Sequence, residues 1–281
     1  MSAFQNQSKV LKTATYLMLL AFAVYCLFPF LWMVDTAFKP ANEIRSTTPT
    51  FMIANATLSN FRRVLFDTAF LVFFRNSLIV AVASTIFTMV VAVFTGYAMS
   101  RWGEKKAVKL VSGALLASQM IPGVLLLVPL YMLVKSLHLL SSYGALILVY
   151  TSFMLPVCTF MLKGYFDAIP VELEDAAEID GCSLVGTIFR IVLPLSTPGI
   201  LSTWVFAFIN AWNEFMFGYV LINDEAHRTL TPGVMLFKGL YATDWGGLMA
   251  AAVLAILPVA AMFLYLQRFL IEGLSAGAVK G

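Results

Sequence analysis

Long uncharged runs alternate with short polar connectors along this chain. Stretches without Asp, Glu, Lys or Arg occupy residues 13–34, 76–100, 110–134, 136–162, 191–213 and 245–267. A helix needs about 20 residues to cross a hydrocarbon layer of about 30 Å, and each run meets that length. Backbone amides in lipid must bond within the chain, so the runs are read as helices. Barrel strands of about 10 residues with alternating polarity are not seen. The pattern predicts an all-α polytopic membrane protein. Its six spans are placed at about 13–34, 76–100, 110–134, 139–162, 198–222 and 245–267, in a single transmembrane domain over 1–281. The fifth span is moved outward past Glu214 because Pro194 and Pro198 oppose a helix that begins much earlier. Pro122, Pro129, Pro156 and Pro258 predict kinks inside spans. The first span is too long for a signal-peptide core and is expected to remain as an anchor.

The connectors carry three further patterns. In 35–75, Phe61, Val64, Leu65 and Thr68 share one face of a short amphipathic helix, with Arg62, Arg63 and Asp67 turned away. The connector 223–244 is rich in turn formers, including Thr231-Pro232-Gly233. The loop 163–197 is the most structured of the three. Pro170 suits a helix start, and Glu172, Glu174 and Asp175 sit where the macrodipole favours anions. Leu173, Ala176 and Ala177 form a narrow stripe. Gly181 suits a left-handed stop, and Ser183 can cap a second helix in which Leu184, Ile188 and Ile191 align before Leu193-Pro194 ends it. Six acids in this loop, at 167, 172, 174, 175, 178 and 180, face either solvent or a basic partner.

Composition narrows the function classes. The chain is 60% hydrophobic and 12% charged, against about a quarter charged in a soluble domain. A net charge of +3 without a long basic run excludes nucleic acid as a partner. Cys26, Cys158 and Cys182 have neither metal-ligand nor disulfide spacing. His138 and His227 stand alone near outer connectors and read as solvated. No phosphate-cradling Gly-x4-Gly-Lys element, paired-histidine motif or nucleophile elbow is present, so neither a catalytic residue, a metal site nor a cofactor is expected in this chain. With both termini inside, ten Lys and Arg fall on the inner side and eight on the outer. The dense connector 101–109 tips the orientation toward cytoplasmic termini.

At Asp175-Ala176-Ala177-x3-Gly181-x9-Ile191-x-Leu193-Pro194 the chain resembles the EAA signature of permease subunits in binding-protein-dependent ABC importers. Its first acid is Asp where the signature usually has Glu. The Pro29–Lys39 stretch, the Asn76-Ser77-Leu-Ile-Val opening of the second span, Ala211-Trp-Asn-Glu-Phe215 and the ending Gly273-Leu-Ser-Ala-Gly-Ala-Val-Lys-Gly281 resemble the smaller six-span permease of maltose-type carbohydrate importers. The resemblance implies a type I permease fold of the bacterial inner membrane and a cytosolic coupling helix. Glu174, Asp175, Ala176, Ala177, Asp180, Gly181, Ile191, Leu193 and Pro194 would carry the coupling to an ATPase. It also implies two ATP-binding subunits holding ATP and Mg, a second, non-identical permease of six or more spans, an extracytoplasmic solute-binding protein, and membrane lipid around them.

Asn210, Trp212, Asn213 and Glu214 are the candidate pathway residues. A carboxylate near a span is costly, so Glu214 reads as either a pathway group or a helix end at the outer interface. Its replacement by Gln is expected to alter transport more than assembly. Aromatic and amide groups suit sugars, which present both ring faces and hydroxyls. A permease for a non-sugar solute, an ion-coupled secondary transporter and a structural scaffold are the alternatives, and the solute itself is not legible.

Overall fold

A computed structural model describes residues 9–278 apart from 47, 49, 52, 240 and 241, with side chains described over 11–267. The side chains of the ending 273–281, part of the resemblance, lie outside the described ones, as does the backbone of 279–281. Among the described residues helices are the only regular elements, joined by irregular connectors, with one isolated bridge between Lys238 and Thr243. Among the described residues four helices are long and apolar enough to cross a membrane, Leu11–Phe38, Phe70–Arg101, Tyr143–Asp167 and Trp245–Gln267, and two bent helix pairs bring the number to six if each pair is one span. The first belongs to α1 (Lys9–Phe38). The amphipathic helix forms as α2 (Ser59–Phe66), followed by α3 (Phe70–Arg101). After α3 come α4 (Lys106–Gln119), α5 (Leu127–Ser136) and α6 (Tyr143–Asp167). The loop region contributes α7 (Glu172–Ile179) and α8 (Leu184–Thr187). The last membrane elements are α9 (Thr197–Asn213), α10 (Met216–Leu221) and α11 (Trp245–Ala278).

The prolines account for most departures from straight spans. The stretch 110–134 is not one helix: α4 stops at Gln119, and the pair it makes with Gly123–Ser136 is bent by 94°. Pro122 lacks the N–H that would continue the ladder, and it drives Ile121 out of helical geometry. Pro129, by contrast, sits in the first turn of α5, where its missing N–H costs nothing. Pro29, Pro156 and Pro258 lie within continuous helices. The fourth span starts at Tyr143 rather than 139, because His138 and Ser141 adopt positive φ of 57° and 56° in the turn before it. The fifth, 198–222, is interrupted at Glu214-Phe215 between α9 and α10. Leu193-Pro194 does not end the helix ahead of it. Instead Ile188–Val192 widens into a π turn, Leu193–Leu195 continues it, and the chain then bends by 82° into α9.

The described chain divides into two compact units. One gathers residues up to Phe70 with Val234–Ile256, and the other gathers Leu71–Gly233 with the residues from Leu257 onward. In the first unit Val64 of α2 is fully buried and Phe61 packs on Phe38 with centroids 4.9 Å apart. Asn60 donates to the carbonyls of Ala37 and Lys39, and Arg63 pairs with Asp244 at 2.7 Å. In the second unit α6 and α9 pack closely at Gly199, where a Cβ would lie 2.2 Å from the ring of Tyr165. Gly233 meets Phe73 in the same way, which is a use of small residues common between membrane helices.

Candidate functional site

Two places in the second unit concentrate the polar chemistry. The first is the helix–turn–helix between α6 and α9. Its turn follows directly from the sequence. Gly181 has φ of +85°, its N–H reaches the carbonyl of Glu178 at 3.0 Å, and the Cys182 N–H reaches Ala177 at 2.9 Å. These two bonds close a Schellman stop, which needs a residue free of the β-carbon penalty at the left-handed position. Ser183 then accepts from the Gly186 N–H at 3.2 Å and caps α8.

The faces of α7 differ from the stripe read in the sequence. Ala177 is buried, but Leu173, Asp175, Ala176, Ile179 and Asp180 are exposed. Glu174 is the buried acid, at 9% exposure. It accepts a 2.5 Å bond from the Tyr97 hydroxyl and bonds of 2.7 and 2.6 Å from Nε and Nη2 of Arg101. Arg101 also donates to Ser100 Oγ at 2.8 Å and to the Ile169 carbonyl at 3.2 Å. Ser100 in turn donates to Asp167, which pairs with Lys163 at 2.5 Å. Glu174 and Asp167 are therefore satisfied within the chain, whereas Glu172, Asp175, Glu178 and Asp180 remain exposed. A cavity of about 360 Å³ opens here, lined by Arg101, Trp102, Asp175, Glu178 and Cys182 among others. Further along, Ile191 and Leu193 are half-buried and Pro194 is exposed. The sequence reading missed Tyr97 and Arg101. Their i, i+4 spacing at the end of a span was the available signal, but a basic residue there reads first as a topology marker.

The second place is a cavity of about 300 Å³ among α4, α6, α9 and α10, lined by Gln119, Tyr150, Phe153, Asn210, Glu214 and Phe217 with their neighbours. Both breaks in the membrane helices reach it, Gln119 being the last residue of α4 and Glu214 the first after α9. Irregular backbone at membrane depth is tolerated where it lines such a cavity. The Glu214 carboxylate accepts from the Tyr150 hydroxyl at 2.6 Å and from the N–H groups of Phe217 and Gly218 at 2.8 and 3.0 Å. It thus caps α10, and its carbonyl receives the Thr231 hydroxyl. Phe153 and Phe217 stack with centroids 5.0 Å apart. Asn210 is exposed and donates to the Phe206 carbonyl at 2.8 Å. Asn213 is exposed but does not line the cavity. Trp212 is only 2% exposed, stacked on Phe208 and edge-on to Phe74, so it belongs to the packing of α9. Among the described residues no group of three His, Cys, Asp or Glu side chains could hold a metal.

Residues 92–275 match the family described as "binding-protein-dependent transport system inner membrane component". The chain belongs to that family. The match takes in the whole of the Arg101–Glu174 junction, the Gly181 turn and the Glu214 cavity. The sulfoquinovosyl glycerol transport system permease protein of Agrobacterium fabrum is 39% identical over 91% of this chain and 89% of its own. The trehalose/maltose transport system permease protein of Thermococcus litoralis is 36% identical over 92% of this chain and 93% of its own. A crystal structure of a bacterial ABC transporter involved in the import of the polysaccharide alginate has the same fold, with a TM-score of 0.81. It covers 93% of this chain and 98% of its own at 17% identity. This permease is thus a multi-pass inner-membrane transport component with the type I importer fold.

Proposed function

We propose that this permease forms half of the translocation pathway of an ATP-driven carbohydrate importer. Its partners would be a second, non-identical permease, two ATP-binding subunits that hold ATP and Mg, and an extracytoplasmic solute-binding protein. The observation that carries the reading is the α7–Gly181–α8 unit. It is a polar helix pair whose inner face is tied to the spans and whose outer face presents Asp175, Ala176, Ile179 and Asp180 without cover. An acidic rim with one apolar side chain at 87% exposure suits a groove on a basic-edged partner. The Arg101–Glu174 pair keeps this unit on the same side as connector 101–109. That side is cytoplasmic on the dense positive charge of the connector, and both termini are assigned to it.

The cavity at Glu214 supplies the pathway element. Stacked Phe153 and Phe217 offer a flat apolar wall, while Tyr150, Asn210 and Gln119 offer hydroxyl and amide groups. That combination matches the apolar faces and peripheral hydroxyls of a sugar ring. A glycoside solute also agrees with the sulfoquinovosyl glycerol and trehalose/maltose transport systems of the relatives in Agrobacterium and Thermococcus. Alternating access would follow when closure of the ATPase pair displaces α7 and α8.

The test is reconstitution of the permease with its partner permease, ATPase subunits and binding protein in proteoliposomes. Uptake of labelled maltose, trehalose or sulfoquinovosyl glycerol is expected only with internal ATP and all subunits. Uptake driven by an ion gradient without the ATPase subunits overturns the proposal.

A further inference from the structure

Helix α3 is gripped at both ends by buried polar side chains of its own. At its final turns Tyr97 and Arg101 converge on one Glu174 carboxylate of α7, whose side chain is 10% exposed, as is that of Arg101. At its opposite end, Asn76 is fully buried. It donates to the carbonyls of Ala226 and Arg228 at 2.8 and 2.9 Å, and accepts from the Tyr143 hydroxyl at 2.6 Å. Beside it Ser77 accepts the N–H of Leu230 at 2.7 Å. One uninterrupted helix without proline thus joins α7 to the segment 226–230. At 1.5 Å per residue the grips stand about 38 Å apart.

Neither grip is a loose surface contact. A buried pair that loses one partner leaves an uncompensated charge, so the Arg101–Glu174 bond resists opening. The Asn76 amide replaces hydrogen bonds that two loop carbonyls would otherwise make with water. Of the neighbouring membrane elements, α6 is continuous but carries Pro156 at its middle, and two others are interrupted. The α4–α5 pair is broken and bent by 94°, and α9 meets the π turn through an 82° bend.

We propose that α3 is a connecting rod that carries displacement of α7 to the segment 226–230, with Arg101 and Asn76 as its positioning residues. This rests on the importer reading, in which an ATPase displaces α7. The Arg101 guanidinium makes α7 and the end of α3 one body, and Asn76 makes the far segment part of the same body. Force applied at the exposed face of α7 then arrives at the other membrane surface without bending a helix.

The test uses the assembled importer in nanodiscs, with Cys26, Cys158 and Cys182 replaced by alanine and nitroxides at Leu173→Cys and Glu225→Cys, which leaves the docking face of α7 unlabelled. Pulsed electron resonance reads their separation without nucleotide and with ATP and Mg. The expected result is a separation that stays fixed in the parent and shifts by more than about 2 Å between states in Arg101→Met. Exchange of the charges, Arg101→Glu with Glu174→Arg, is expected to restore the fixed separation. A parent separation that changes with ATP, or an Arg101→Met protein that keeps it fixed, overturns the rod. Where Arg101→Met fails to assemble, Tyr97→Phe removes one donor to the same carboxylate and is read against the same two outcomes. Failure of the parent permease to retain ATPase subunits instead rejects the importer reading itself.

Discussion

Gly181 and Glu214 show how single residues carry this protein's turns. No atom beyond its chain neighbours stands within 4 Å of a β-carbon added at Gly181, so crowding by the surrounding fold does not forbid one there. The obstacle is φ of +85°, which a β-branched residue adopts at a cost of about 1–3 kcal/mol. Gly181→Val is therefore expected to lower solute-stimulated ATP hydrolysis by the assembled importer, while Gly181→Asn, which tolerates this region, keeps most of it. Equal hydrolysis in both variants would show that the turn is not needed for coupling. Glu214 is a helix cap as well as a cavity group, which adds a stability cost to the expectation that Gln alters transport more than assembly. An amide accepts less strongly than a carboxylate from Phe217, Gly218 and Tyr150. Glu214→Gln is expected to cost about 1–2 kcal/mol in thermal unfolding as well as to slow uptake. An unchanged melting temperature would leave the carboxylate to transport alone.

At the scale of elements, the loop 223–230 is held by side chains far away in sequence, and its own Asp224–His227 hydrogen bonds respond to acid. Asp224 loses some solvation on folding, which raises its pKa. Its bonds from the His227 side chain and backbone N–H outweigh that and hold it below its ordinary value of 3.8. A depressed carboxylate contributes stability above its unfolded value and loses it as pH falls through the folded one. The loop is thus expected to loosen only below about pH 4, and a nitroxide at Glu225→Cys would report rising mobility there. In Asp224→Asn that mobility is expected to be high already at neutral pH, and a mobility insensitive to either change would assign the loop's order to Asn76 and Ser77 alone. The π turn at Ile188–Val192 belongs to this scale too. Its Leu193-Pro194 sequence reads as a helix end, but packing carries the helix through it.

For the whole molecule, solvent is lipid, and the apolar surface is read differently. Along α1, Leu17, Leu20, Val24, Tyr25 and Leu31 are more than half exposed, and none of its apolar window is buried in the described chain. In water that surface would be an aggregation hazard. In a bilayer it needs no cover from its own chain, because lipid tails are as apolar as leucine. Leu20→Arg is expected to cost about 3 kcal/mol of insertion for this span, measured by glycosylation mapping of its flanks. Insertion as efficient as that of the parent would mean that α1 does not lie across the hydrocarbon layer.

Much of this protein is legible in its amino-acid sequence. Charge-free length marks where helices enter lipid, because each charged group in hydrocarbon is costly and each backbone amide needs a partner. The Gly181 stop and the Ser183 cap were equally visible, since both depend on local backbone geometry alone. Tertiary structure decided what depends on neighbours distant in sequence. Pro122 broke its helix whereas Pro156 did not, and which of the two happens depends on the contacts that receive the freed carbonyls. Glu174 turned inward because Arg101, on another helix, could neutralise it, so the acid of that loop with the strongest bonds is hidden from any partner. Trp212 became packing and Glu214 a cap for the same reason: a side chain's role is set by what surrounds it in space, and periodicity along one helix does not record that.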